Sequence, residues 1–179
     1  MPAYYYLLVS SNRDYEIDAF LEVFAACSER SVKAELFGII GEGRALLTLH
    51  SPMCIDVRRF IDEMMARKNS FRYLKKAKAY SMIAKSDELP EMIEKLRSDL
   101  NVLADDAKIA ISIQGIGLTG HFEKDVISKI LEGIRINVDL DNPNILVGFF
   151  FFGDYFLMDP ALPLSVPNIE HRRGLSENV

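Results

Sequence analysis

The sequence predicts an α+β protein made of two small units, and three observations lead there. Apolar residues switch repeatedly between strand-like runs and the three-and-four spacing of amphipathic helices. The composition changes abruptly at Ser86-Asp87-Glu88, which separates one such set of elements from a second. The chain has 179 residues, 49% hydrophobic and 26% charged, enough for one large domain or two small ones with cores of their own.

The first strand is residues 4–10, rich in aromatic and other strand-forming side chains. A helix follows over 14–26, where Ile17, Phe20, Leu21 and Phe24 fall on one face and Asn12 or Asp14 is placed to cap the amino end. Residues 32–39 and 44–50 read as two strands of a hairpin, because Gly41 and Gly43 suit the turn between them. A second helix opens after Ser51-Pro52 and buries Ile55, Phe60, Ile61, Met64 and Met65, with Arg67 and Lys68 at its carboxyl end, where positive charge complements the helix dipole. Residues 71–83 supply the closing strand. The order β-α-β-β-α-β is the split βαβ, or ferredoxin-like, plan, and it places a ferredoxin-like domain at residues 1–85.

In the second unit, residues 86–159, a helix over 89–103 carries Leu89, Met92, Ile93, Leu96, Leu100 and Leu103 on one face. A short strand at 108–113 precedes a helix at 121–134 with Phe122, Val126, Ile127, Ile130 and Leu131. The run 145–152 is apolar throughout, so its alternating rings need cover on both sides, as in a central strand. Gly153-Asp154 turns it into 155–158. From Asp159 the periodicity fades and prolines accumulate, so residues 160–179 read as a surface tail.

Charge is spread unevenly along the chain. The net charge is −5, yet nine basic residues and only two acids lie between Arg58 and Lys85, a local excess of +7 that leaves −12 on the remainder. Such a concentration can hold a polyanion, and Phe71, Tyr73 and Tyr80 interleave with it, available for stacking on unpaired bases or for the core. A solvated helix face followed by a lysine-rich edge strand has the same composition. The candidate RNA-binding residues are Arg67, Lys68, Arg72, Lys75, Lys76 and Lys78.

The chemistry-bearing residues are sparse. Cys27 and Cys54 lack the CxxC spacing, and His50, His121 and His171 lack the four-residue spacing of paired helical ligands, so no metal centre is expected. Gly115, Gly117 and Gly120 fit GxGxxG between a strand and a helix, with Asp139 and Asp141 about 20 residues on, as in a dinucleotide site. Against this, the acids precede the next strand instead of ending it, and only 59 residues follow Gly120. Glycines serving positive φ and close packing account for the same pattern. No nucleophile-base pairing stands out. The longest apolar run is too short to span a bilayer and the amino end lacks the features of a signal peptide, which leads us to expect a cytoplasmic protein with no membrane role.

The element Val138-Asp139-Leu140-Asp141-Asn142-Pro143-Asn144, leading from the 121–134 helix into an apolar strand, resembles a THUMP domain. The preceding unit is similar to the ferredoxin-like domain that accompanies THUMP in tRNA-modifying proteins, and the resemblance extends over about residues 4–158. It implies a THUMP-like α/β second domain and tRNA, through its acceptor region, as partner. The pattern looks most like stand-alone THUMP adaptors that present tRNA to a separate modifying enzyme, a cytidine acetyltransferase, with no catalytic residues and no cofactor in the chain itself. Only Lys108 is basic around the strand where such domains commonly carry several cations, which shifts the expected phosphate contacts to Arg67–Lys78. A small nucleotide-dependent enzyme using Gly115–Gly120 and a protein-interaction module without RNA are the alternatives.

Overall fold

The computed structural model describes residues 3–51, 56–103 and 107–163. The chain divides into two compact units, Met1–Ile83 and Ala84–Val179. The fold is α+β.

The first unit runs β1 (Ala3–Ser10), α1 (Glu16–Ser28), β2 (Lys33–Gly41), β3 (Arg44–Ser51), α2 (Val57–Ala66) and β4 (Lys76–Tyr80). Its sheet has the order β2-β3-β1-β4, every neighbouring pair antiparallel, so β1 and β2 are parallel with β3 inserted between them. β1 is interior because it is apolar on both faces. Leu7 and Val9 join the helix-covered core, and Leu8 on the other face is buried as well. The β2–β3 hairpin turns through Gly41, Glu42 and Gly43, all at positive φ. Gly43 is required twice over, since a β-carbon there would stand 2.6 Å from the Ser11 carbonyl oxygen. Its N–H donates to the buried Glu16 carboxylate at 3.0 Å, which docks the hairpin tip on the start of α1.

The buried face of α1 differs from the expected one. Ala19, Val23 and Cys27 are buried, whereas Ile17, Leu21 and Phe24 are 44%, 53% and 46% exposed. Small side chains let the helix approach the sheet closely, and the spacing of the larger residues marks a second apolar flank that these contacts leave in solvent. Neither Asn12 nor Asp14 caps the helix. Tyr15 occupies that position without a side-chain bond, and the Asn12 carbonyl accepts from the Tyr15 N–H at 3.2 Å. α2 follows expectation, with Phe60, Ile61 and Met64 buried. Its cap is Asp56, which accepts from the N–H groups of Arg58 and Arg59 at 3.0 and 3.2 Å. Pro52, Cys54 and Ile55 lie outside the described residues.

The closing strand expected at 71–83 is in fact two strands. β4 ends at Tyr80, and β5 (Met82–Lys85) belongs to the second sheet, whose order is β5-β9-β8-β6-β7. That sheet continues through α3 (Leu89–Asn101), β6 (Lys108–Gly115), α4 (Gly120–Leu131), β7 (Asn137–Val138), β8 (Ile145–Phe152) and β9 (Tyr155–Pro163). β6 is parallel to both β7 and β8, so α4 lies in a β-α-β crossover, and β9 returns antiparallel to β8. Ile93, Leu96 and Leu100 are the buried face of α3, and Val126 and Ile130 that of α4. The four phenylalanines of β8 are buried on both faces, with Phe149, Phe151 and Phe156 packed together on one of them. β9 extends to Pro163, opposite Ile145, beyond the point where loss of periodicity suggested a tail. Asp105, Asp106 and His171 lie outside the described residues.

Candidate nucleic-acid interface

The basic residues singled out from the sequence follow one edge of the first sheet. Arg67 caps the carboxyl end of α2, and Lys68 opens the short 3-10 turn Lys68–Ser70 that leaves it. α2 packs against β4, the edge strand. On β4, Lys76 and Lys78 alternate with Ala77 and Ala79, so the alanines face the helices and the lysines project from the opposite side. Arg67, Arg72, Lys75 and Lys76 are exposed, and none has a carboxylate partner among the described residues. Lys78 is half-buried, its Nζ 5.1 Å from the centre of the Tyr80 ring. Arg59, by contrast, is engaged with Glu63 at 3.0 Å. The cations available for phosphate are thus concentrated from Arg67 to Lys76, in keeping with either a polyanion site or an edge guarded against strand pairing.

The aromatic residues of this segment are occupied in packing. Tyr73 stacks on Tyr15 with ring centres 5.0 Å apart, and the Arg72 guanidinium lies 5.2 Å from the Tyr73 ring. Phe71 is half-buried against the helix-covered core, and Tyr80 is fully buried. Of the two uses the sequence left open for them, the fold takes packing.

The residue that organises the segment is Glu22, which sequence reading missed. Its carboxylate, half-buried on α1, accepts from three successive backbone N–H groups: Arg72 at 2.7 Å, Tyr73 at 3.1 Å and Leu74 at 2.8 Å. Consecutive N–H groups turned to one side form an anion-binding nest, filled here by a side chain 50 residues away in sequence. The Lys75 N–H then donates to the Ser10 carbonyl at 2.8 Å, and the Lys75 ammonium meets the Asn12 side-chain oxygen. Residues 72–75 therefore have no regular secondary structure but a fixed backbone. Beside them, α1 and α2 leave a groove of about 300 Å³ with Phe60, Met64 and Phe71 in its lining and Arg30 and Arg67 at hand.

The glycine loop is not arranged as a dinucleotide site. Gly117 adopts φ of +72°, and a β-carbon on Gly115 would lie 2.6 Å from the Phe151 carbonyl oxygen, so these two glycines serve backbone geometry and close packing. Gly120 differs from expectation, because it opens α4 at negative φ with no atom near its missing β-carbon. Thr119 caps that helix through its hydroxyl, which accepts from the Phe122 N–H at 3.3 Å. Asp139 stands at the other end of β6 from the loop. It pairs with Lys108 at 3.0 Å, and its N–H donates to the Ile109 carbonyl. Its carboxylate accepts from the N–H groups of Asn142 and Asp141, and these bonds with the Lys108 ammonium hold its pKa below the usual aspartate value. An acid placed there cannot reach a ribose bound at the Gly115–Gly120 end.

Among the described residues no group of three or more His, Cys, Asp or Glu is arranged to hold a metal ion. Among the same residues no helix is long and apolar enough to cross a membrane. Burial pushes the Cys27 thiol up to about 12, which keeps it protonated and unreactive at neutral pH.

No protein-family model matches the chain, and no curated protein matches it significantly. Among solved structures it is similar to PH1313 from Pyrococcus horikoshii Ot3, at 14% identity and a TM-score of 0.47 over 92% of this chain and 58% of that one. It is similar to TrmN from Thermus thermophilus, at 14% identity and a TM-score of 0.49 over 89% and 46%. A third is a 4-thiouridine synthetase in complex with RNA and bound ATP, at 12% identity and a TM-score of 0.47 over 87% and 40%. The chain thus spans between 40% and 58% of the length of these proteins. The expectation that it is not an enzyme is corrected here, because the similar structures include an enzyme, the synthetase, of which this chain matches a part.

Proposed function

We propose that this protein binds tRNA through the edge formed by Arg67, Arg72, Lys75 and Lys76, with Lys68 and Lys78 contributing, and presents the acceptor region to a tRNA-modifying activity. One observation carries the reading: four exposed cations, without carboxylate partners among the described residues, lie on or beside the short stretch 72–74 whose backbone Glu22 holds in place. Phosphate binding draws on charge density, and a preorganised segment loses less conformational entropy when the RNA docks. With the aromatic rings already packed, recognition rests on the backbone and shape of the RNA more than on stacked bases. The sequence resemblance to THUMP proteins supports tRNA as the RNA and a cytidine acetyltransferase as the activity served, with the cytoplasm as the place of action.

The test is filter binding of whole tRNA and of an acceptor minihelix across a salt series. Affinity should fall with a slope of about −0.9 per duplex phosphate contacted. Reversal of Arg72, Lys75, Lys76 and Lys78 to glutamate should abolish binding while the far-UV circular dichroism is unchanged. Unchanged affinity in a folded variant would refute the site. For the acetyltransferase, the readout is acetylcytidine in tRNA incubated with that enzyme with and without this protein.

A further inference from the structure

The two edges of the first sheet are unlike. β4 is guarded by Lys76 and Lys78, whereas β2, the other edge, is nine residues long and carries Leu36, Phe37 and Ile39 at 38%, 55% and 53% exposure. Its only charges are Lys33 and Glu35, paired within the strand at 2.6 Å. Its outward N–H and C=O groups have no strand partner among the described residues. A long apolar edge of this kind pairs with another extended strand unless something prevents it.

The helix above the edge has the same character. α1 packs on β2 and α2 on β4, and the α1 residues that line the groove between the helices are Glu22, Ala25, Ala26 and Glu29. At 100° per residue Ile17, Leu21 and Phe24 fall on the opposite flank, toward the β2 edge. Leu36 and Ile39 lie opposite Leu47 and Ala45 of the helix-side core, so they stand on the same side of the sheet as α1. Exposed apolar residues of both layers therefore converge at one edge.

We infer that this edge is a two-fold interface with a second copy of the same chain, β2 pairing antiparallel with β2 and the Leu21–Phe24 flank of α1 meeting its equivalent. The register is what selects a second copy. Bulges disturb β2 from Leu36 onward, which leaves 33–36 as the regular stretch able to pair. A two-fold axis through Ala34 sets Lys33 of each copy opposite Glu35 of the other, so the strand is charge-complementary to itself. The same axis lies near the α1 end that the loop 29–32 joins to β2, with Phe24 about one turn and Leu21 about two turns before that end, and it opposes the two helix dipoles. The pairing builds one eight-stranded sheet and leaves both β4 edges at its ends.

Sedimentation velocity of the full chain over a concentration series tests this. The expected species is a dimer of about 41 kDa, twice the 20.3 kDa chain. Leu21→Lys and Phe24→Lys, at positions exposed in the monomer, should each return it to 20.3 kDa without change in far-UV circular dichroism. Glu35→Lys should do the same by setting lysines against lysines, and the exchange Lys33→Glu with Glu35→Lys should restore the dimer. A monomer at every concentration overturns the inference, as does a dimer that any of the three single substitutions leaves intact, or one that the charge exchange fails to restore.

Discussion

Replacing Glu22 by alanine removes the acceptor of three backbone N–H groups and leaves the linker between α2 and β4 without its anchor. A hydrogen bond to a charged group contributes about 1.5–3 kcal/mol when buried and less when water can take over. Glu22 is half-buried, and the N–H groups of Arg72, Tyr73 and Leu74 regain solvent in part when it is lost. About 2 kcal/mol in all is the expected cost. In a unit the size of Met1–Ile83, that lowers the melting temperature by about 8–16 °C. Glu22→Gln keeps one carbonyl acceptor without the charge and should fall between the alanine variant and the parent. Calorimetry or thermal circular dichroism gives the shifts, and urea titration supplies the free energies. If Glu22→Ala melts within a degree or two of the parent, the clamp is an accompaniment of the fold and not a support of it, and the preorganisation argued for the basic segment goes with it.

The glycine loop gives a graded series in the same melting assay. Gly117→Ala should cost on the order of 1 kcal/mol for its positive φ, Gly115→Ala more because of the clash with the Phe151 carbonyl, and Gly120→Ala nothing or a slight gain, as a helix residue with open space beside it. Equal losses at all three positions would contradict these assignments. Native protein treated with iodoacetamide at pH 8 should leave Cys27 unmodified by peptide mass mapping, and denaturant should expose it, because burial holds its pKa at about 12. As the folded value lies above the unfolded one, the stabilising contribution of the protonated thiol is complete below pH 9 and declines as the pH rises toward 12. Asp139 has the opposite sign. Its folded pKa lies below the ordinary 3.8, so what it contributes is present above that pH and is lost as the medium becomes more acid, and Asp139→Asn should flatten the acid limb of the stability profile.

Much of the fold is legible in the sequence because its signals are local. The glycines at 41 and 43 mark a hairpin, the period of Phe60, Ile61 and Met64 marks the face of α2, and an unbroken apolar run from Ile145 to Phe152 admits only a strand covered on both sides. Charge density along residues 58–85 is a one-dimensional property, so the candidate binding residues could be named before the fold was known. What the sequence could not decide depends on which surfaces meet. α1 has two apolar flanks, and only the presence of the sheet chooses the small one, Ala19, Val23 and Cys27, because a close approach favours small side chains over the larger flank. Strand-forming residues on either side of Ser81 look alike, yet β4 and β5 join different sheets, since pairing is a choice between distant partners. Glu22 carries no signal at all in one dimension. It becomes the anchor of Arg72, Tyr73 and Leu74 only when packing brings α1 beside a segment some 50 residues away, where three N–H groups left over from any regular strand or helix need an acceptor.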